Sequence, residues 1–262
     1  MKSNNNIIAI IQARTGSTRL PNKVMKTING ITILELMINR VTPCKLLRKV
    51  VVATTTNKQD LPIINLCDKL DVDSYQGNEE DVLDRFYQCA KLYTPEAIIR
   101  LTSDCPLIDS QWIDKLIQFY LDHKNEYDYF SNCLEPTLPD GLDVELIPFR
   151  TLKKAWGEAK KGYEREHVSP YIYKNPNLFR LASLRNDVDY SYHRWTLDTP
   201  EDFEFIKAVY NHFFEKGEQT FHMKDILDFL IKNPHIMAIN SDSKRNWKFL
   251  KQIQEDEERR VH

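Results

Sequence analysis

Residues 7–13 read IIAIIQA, and residues 14–23 continue RTGSTRLPNK. Six apolar positions in seven, mostly β-branched, cannot face water on alternate sides, so this run predicts a strand covered on both faces, as in a parallel sheet. KVVVAT at 49–54 has the same character. Between them ITILELMINRVT, residues 31–42, places Ile33, Leu34, Met37 and Val41 at helical spacing. The order then repeats. DLPIINLCDKL predicts a helix, DVDSY a short strand, EEDVLDRFYQCAKLY a helix with Val82, Leu83, Phe86 and Ala90 on one face, and AIIRLTS a strand. SQWIDKLIQFYLDH predicts the next helix, with Ser110 as its expected N-cap. This βαβα order implies a doubly wound α/β domain with a mostly parallel sheet.

Beyond about residue 127 the alternation weakens. YDYFSN, DVELIPF and LFRLASLRN predict strands, and Pro136, Pro139 and Gly141 mark a turn between the first two. LKKAWGEAKKG, EREHVSPYIYK, PEDFEFIKAVYNHFF and MKDILDFLIKN predict helices, the third opened by Pro200 with Glu201 and Asp202 in its first turn. The simplest organisation is one domain over 1–262, with an inserted lobe over about 127–185 and a charged tail over about 244–262.

Composition narrows the function. With 262 residues, 42% of them hydrophobic, the chain can bury a large core. A net charge of −2 gives no general attraction to nucleic acid or anionic lipid, so any basic cluster acts locally. No run approaches the roughly 18 apolar residues of a membrane span, and the opening apolar stretch is too short for a secretory signal, so a cytoplasmic location is expected. Cys44, Cys67, Cys89, Cys105 and Cys133 are odd in number, far apart and never in CxxC spacing, which argues against a disulfide framework or a zinc site.

In open α/β sheets ligands sit beyond the carboxyl ends of the strands. The residues expected there are Arg14, Thr15, Gly16, Ser17, Thr18, Arg19 and Lys23 after the first strand, Thr54, Thr55 and Thr56 after the second, Gly77 and Asn78 after the third and Asp104 after the fourth. Three cationic side chains in ten residues, with a glycine and hydroxyls between them, suit a multiply charged phosphate, although a solvated turn would also carry them. Neither GxxxxGK[ST] nor GxGxxG occurs. Asp104, in RLTSDCPL, suits Mg²⁺ but also a turn, and Asp198, in RWTLDTPEDF, suits a second metal carboxylate but also an N-cap for the Pro200 helix.

QARTGSTRLPNK is similar to the ARxxSxRLPxK signature of the sugar-acid cytidylyltransferases, the group that includes the CMP-Kdo and CMP-acylneuraminate synthetases. The chain most resembles the branch named for spore coat polysaccharide biosynthesis. VVATTTNKQD, YQGNEEDVLDRF, IIRLTSDCPLID, LPDGLDVELI, EREHVSPYIY and RWTLDTPEDF follow in order, so the likeness spans about residues 7–210. It implies a nucleotide-diphospho-sugar transferase fold, three-layered and Rossmann-like. It further implies transfer of CMP from CTP to a sugar acid, with Mg²⁺ and a homodimer. Under that likeness Arg14, Ser17, Arg19 and Lys23 grip the triphosphate, Lys23 offsets charge on the leaving pyrophosphate, and Asp104 and Asp198 hold the metal. Arg85 resembles an arginine near the nucleotide, although its spacing equally suits a surface pair with Asp81. Asp140, Asp143 and Glu145, with Glu166 and His167, are expected to face the sugar or the lobe interface. His167 or His193 could take the proton of the attacking hydroxyl. Two other classes share this architecture: a glycosyltransferase, for which the DVD at 71–73 is poorly placed as a metal motif, and a nucleotide-binding scaffold, which would have no need of both aspartates and the whole basic loop.

Overall fold

The computed structural model describes residues 6–17 and 19–241; the charged tail lies outside them, as does Thr18 of the basic loop. Among the described residues there are nine strands: β1 (Ile7–Gln12), β2 (Thr27–Ile28), β3 (Ile31–Thr32), β4 (Lys49–Thr55), β5 (Asp73–Gly77), β6 (Ala97–Thr102), β7 (Tyr129–Ser131), β8 (Glu145–Pro148) and β9 (Leu181–Ser183). The first six helices are α1 (Ile33–Val41), α2 (Leu61–Lys69), α3 (Val82–Tyr93), α4 (Ser110–His123), α5 (Phe149–Glu158) and α6 (Gly162–His167). They are followed by α7 (Pro170–Tyr173), α8 (Pro200–Glu215), α9 (Met223–Lys232) and α10 (Pro234–Met237).

Seven strands form one sheet in the order β5-β4-β1-β6-β8-β7-β9. β1 lies parallel between β4 and β6, and its side chains explain the apolar run: Ile7, Ala9 and Ile11 enter one core while Ile8 and Ile10 enter another on the opposite face. Because the chain steps outward from β1 to β4 and β5, then returns to place β6 on the other side of β1, a crevice opens where the β1 and β6 ends diverge. Gln12 and Thr102 are register partners at that edge. The segment 127–185 supplies β7, β8 and β9 to this same sheet and packs α5, α6 and α7 over one face. Here β8 runs antiparallel to both β6 and β7. A third core, containing Trp195, Phe205 and Phe213, lies under α8 and α9.

Local chemistry fixes several joints. Asn29 and Gly30 both have positive φ, 50° and 81°, and close the β2–β3 hairpin in the way Asn-Gly pairs favour. The α4 cap is Asp109, whose carboxylate accepts from the Gln111 amide at 2.9 Å; Ser110, the expected cap, is instead the first helical residue. The expected helix over EREHVSPYIYK is broken into α6 and α7 at Val168 (φ 73°, ψ −60°), where the Ser169 amide donates to the His167 carbonyl at 2.9 Å. That is a γ-turn, an uncommon and strained conformation for a β-branched residue. It is held by full burial of the valine, and it breaks the helix between His167 and Ser169, both of which line the cleft described below.

Candidate active site

A cleft of about 580 Å³ lies over the ends of β1 and β6. Its cationic wall comes from the β1 loop, where Arg14, Gly16, Ser17, Arg19 and Lys23 all face it, and from α3, which contributes Arg85. Arg85 is not the surface partner of Asp81. It is 2% exposed and donates to the Asn78 carbonyl at 2.7 Å, while Arg165 binds Asp81 instead. Burial, and secondarily the nearby Arg14 charge, pushes its pKa down to about 10. An anion arriving beside it would relieve that strain.

At the centre, the Lys23 ammonium donates to Asp104 Oδ2 at 3.2 Å, to Asp198 Oδ1 at 2.9 Å and to the Leu197 carbonyl at 2.9 Å. Arg19 also pairs with Asp198 Oδ1 at 2.9 Å. Burial works to strip the lysine of its proton, but the two carboxylates outweigh it and hold its pKa above the ordinary value. Asp104 shows the converse: burial opposes its charge, yet Lys23 and the Thr102 hydroxyl keep its carboxyl below the usual range. Asp198 is not the cap of α8. Thr199 takes that place, its hydroxyl accepting from the Asp202 amide at 3.2 Å while Asp202 Oδ2 accepts from the Thr199 amide at 3.0 Å. The Asp198 side chain is thereby left to the cleft.

Among the described residues no group of three or more His, Cys, Asp or Glu side chains is arranged to hold a metal ion. The pair Asp104 and Asp198 nonetheless fits Mg²⁺, which keeps several waters and takes one or two protein carboxylates together with substrate phosphates. That both carboxylates already converge on one cation, the lysine ammonium, shows that their oxygens can share a positive centre.

The cleft is lined as well by Asp140, Asp143, Glu145, Glu166 and His167, all five residues expected on the acceptor side. Glu145 is committed to Arg100 at 3.1 Å, and it accepts from the Ser169 hydroxyl at 3.1 Å. Asp140 pairs with Arg194 at 3.2 Å. His193 is buried away from the cleft, against the rings of Tyr192 and Trp195, and burial lowers its pKa. Of the two histidines weighed as proton acceptors, His167 alone reaches the cleft. Cys105 also lines it, but burial first and the adjacent Asp104 second raise its thiol far above the reactive range.

Three expected nucleotide ligands stand outside the lining. The Thr15 hydroxyl and amide both donate to Asp60 Oδ1, at 2.6 and 2.8 Å, and the Thr55 hydroxyl donates to Asp60 Oδ2, so Thr15 staples the loop to the β4 end. Thr54 is fully buried. Gly77 lets Arg85 pass: a Cβ there would come within 2.9 Å of Arg85 Cγ. Asp60, Arg100 and Arg194 were not singled out by the sequence reading; the one available signal was Arg100, a charge within the apolar run AIIRLT.

The sequence profile of the cytidylyltransferase family matches residues 8–226. The chain belongs to the cytidylyltransferase family. It is 33% identical to the spore coat polysaccharide biosynthesis protein SpsF of Bacillus subtilis, over 88% of this chain and 96% of that one. It is 31% identical to the 3-deoxy-manno-octulosonate cytidylyltransferase of Geobacter sulfurreducens, over 68% of this chain and 80% of the relative. A solved cytidylyltransferase from Leptospira borgpetersenii superposes on it with a TM-score of 0.85 at 34% identity, covering 89% of this chain and 97% of that one. This cytidylyltransferase therefore has a mostly parallel seven-stranded sheet of the Rossmann-like nucleotidyltransferase type, and it is an enzyme. Among its described residues no helix is long and apolar enough to cross a membrane.

Proposed function

We propose that this cytidylyltransferase transfers CMP from CTP to the hydroxyl of a sugar acid, releases pyrophosphate, uses Mg²⁺, and works as a cytoplasmic homodimer in surface polysaccharide or glycoconjugate synthesis. The observation that carries the reading is the Lys23 ammonium held between Asp104 and Asp198, which lie 81 and 175 residues away in sequence. Such a junction, with Arg14, Arg19 and Arg85 on the same wall, suits a nucleoside triphosphate approached through its phosphates. The relatives' names favour a sugar acid as acceptor and polysaccharide synthesis as the setting.

In this reading the acceptor hydroxyl attacks the α-phosphorus in line, its oxygen forms the new P–O bond, and the bond to the β-phosphate oxygen breaks. Arg14, Arg19 and Lys23 neutralise the departing pyrophosphate, while Arg85 fixes the nucleotide from α3. Mg²⁺, when bound by Asp104 and Asp198, supplies charge neutralisation at the phosphates. The displacement needs no covalent nucleophile from the protein, which agrees with the raised pKa of the Cys105 thiol. Asp140, Asp143, Glu145, Glu166 and His167 orient the acceptor. His167, which lines the cleft, takes the hydroxyl proton in this proposal.

The test is pyrophosphate release from each of the four nucleoside triphosphates across a panel of sugar acids. Release is expected with CTP, Mg²⁺ and a sugar acid together. Failure to depend on CTP anywhere in a broad panel overturns the proposal.

A further inference from the structure

Beside Asp198 lies a second charged network that the transfer chemistry does not itself require, centred on Arg194, which also lines the cleft. Arg194 forks onto both oxygens of Asp202 at 2.9 Å each, reaches Asp140 Oδ2 at 3.2 Å and approaches Asp198 Oδ2 at 3.5 Å. Its side chain is 8% exposed, and that of Asp202 is 0% exposed. Asp202 Oδ2 in turn accepts from the Asp198 amide at 2.8 Å and the Thr199 amide at 3.0 Å, so the loop carrying Asp198 hangs from a carboxylate that Arg194 orients. Asn240 completes the set, donating to Asp202 Oδ1 at 2.9 Å and to the Arg194 carbonyl at 3.1 Å. On the far side, the Asp140 amide donates to the His193 carbonyl at 2.9 Å and the Trp195 amide donates to the Asp140 carbonyl at 2.6 Å, which ties the acceptor-side turn to the same strand-like segment.

We propose that Arg194 is a positioning residue: it aims Asp198 at the metal and holds that carboxylate in fixed relation to the acceptor-side Asp140. The inference rests on the reading of Asp198 as a metal carboxylate. Burying an arginine with two carboxylates is costly unless the geometry is fully bonded. An apolar pair could join the two segments, but it could not set the angle of a carboxylate. Lysine at position 194 would keep the charge but lose the two-point grip on Asp202.

The experiment measures CTP dissociation constants by titration calorimetry, once in excess EDTA and once in Mg²⁺, for the full chain carrying Arg194→Lys, Arg194→Met, Asn240→Ala or Asp198→Asn. The ratio of the two constants reports what the metal carboxylates contribute, independently of turnover. Disturbing a group that orients a metal ligand costs about 10- to 100-fold in metal affinity, so the ratio is expected to fall about tenfold in Arg194→Lys and further in Arg194→Met, with affinity in EDTA nearly unchanged. Asn240→Ala, which removes two hydrogen bonds and leaves the ion pairs, should lower the ratio by about threefold, and it decides the matter if the arginine variants do not fold. If Asp198→Asn lowers the ratio while folded Arg194→Lys keeps it, the positioning role is wrong and the metal reading stands. An unchanged ratio in Asp198→Asn overturns both.

Discussion

Lys23 is the residue on which the proposed reaction turns. Its ammonium is held between two carboxylates that keep it protonated, so in that proposal it serves as a fixed charge rather than as a base. Lys23→Met should lower kcat by about 10²- to 10³-fold, the range for removing one preorganised group at a developing charge, while the chain stays folded by circular dichroism. The lysine, the arginines and Asp104 were legible in the sequence because phosphate and metal chemistry restrict residue type. Thr15, Thr54 and Gly77, expected at the nucleotide, lie outside the cleft lining. A hydroxyl after a strand looks the same whether it faces a ligand or a buried carboxylate, and nothing in the order of residues reveals that Asp60 turns back to take up Thr15 and Thr55. Asp60→Ala would strand those donors in the interior, and a loss of about 3 kcal/mol in urea unfolding is expected, with a raised KM for CTP, because unpaired buried donors cost about 1–3 kcal/mol each.

At the scale of elements, the close approach of two segments replaces a single motif. Gly141 has φ 112°, and a Cβ there would lie 2.5 Å from the Trp195 carbonyl carbon, so the turn before β8 and the segment leading to Asp198 touch backbone to backbone. Gly141→Ala should therefore cost about 3 kcal/mol through backbone strain and a clash with main chain that cannot rotate away. Thermal unfolding should fall by roughly 6–12 °C for a chain of this size. An unchanged melting temperature would contradict the described contact. The strands and long helices were readable from period alone, since β1 must be covered on both faces and α8 carries its own proline and acidic start. The break at Val168 was not, because a γ-turn at a valine runs against local preference and is imposed by the core around it.

Over the whole molecule, the buried carboxylates link folding to pH. Asp60, Asp104 and Asp202 each sit below their ordinary value: burial opposes the charge in all three, and hydrogen bonds or cations outweigh it. A carboxyl depressed in the folded state stabilises that state above its unfolded pKa of about 3.9, and the contribution is lost as pH falls through the folded value. Stability by urea titration should thus begin to fall below about pH 6.5, where His193, held neutral by burial, charges on unfolding, and fall further below about pH 4 as the carboxyls protonate; a rise on acidification would contradict these assignments. The mostly parallel sheet was foreseeable from the alternation of strands and helices; that its strand order reverses between β1 and β6 was not. How β7, β8 and β9 extend that sheet was not, since the antiparallel pairing of β8 depends on long-range packing.

The central claim is that Lys23 and Asp198 act on one metal-bound nucleotide, and single-turnover CMP transfer in Lys23→Met, Asp198→Asn and the double variant tests it most directly. Residues that act as a unit are strongly non-additive, so the double variant should be about as slow as the slower single variant. Rate losses that multiply in full, or an Asp198→Asn enzyme at wild-type rate, would contradict the account.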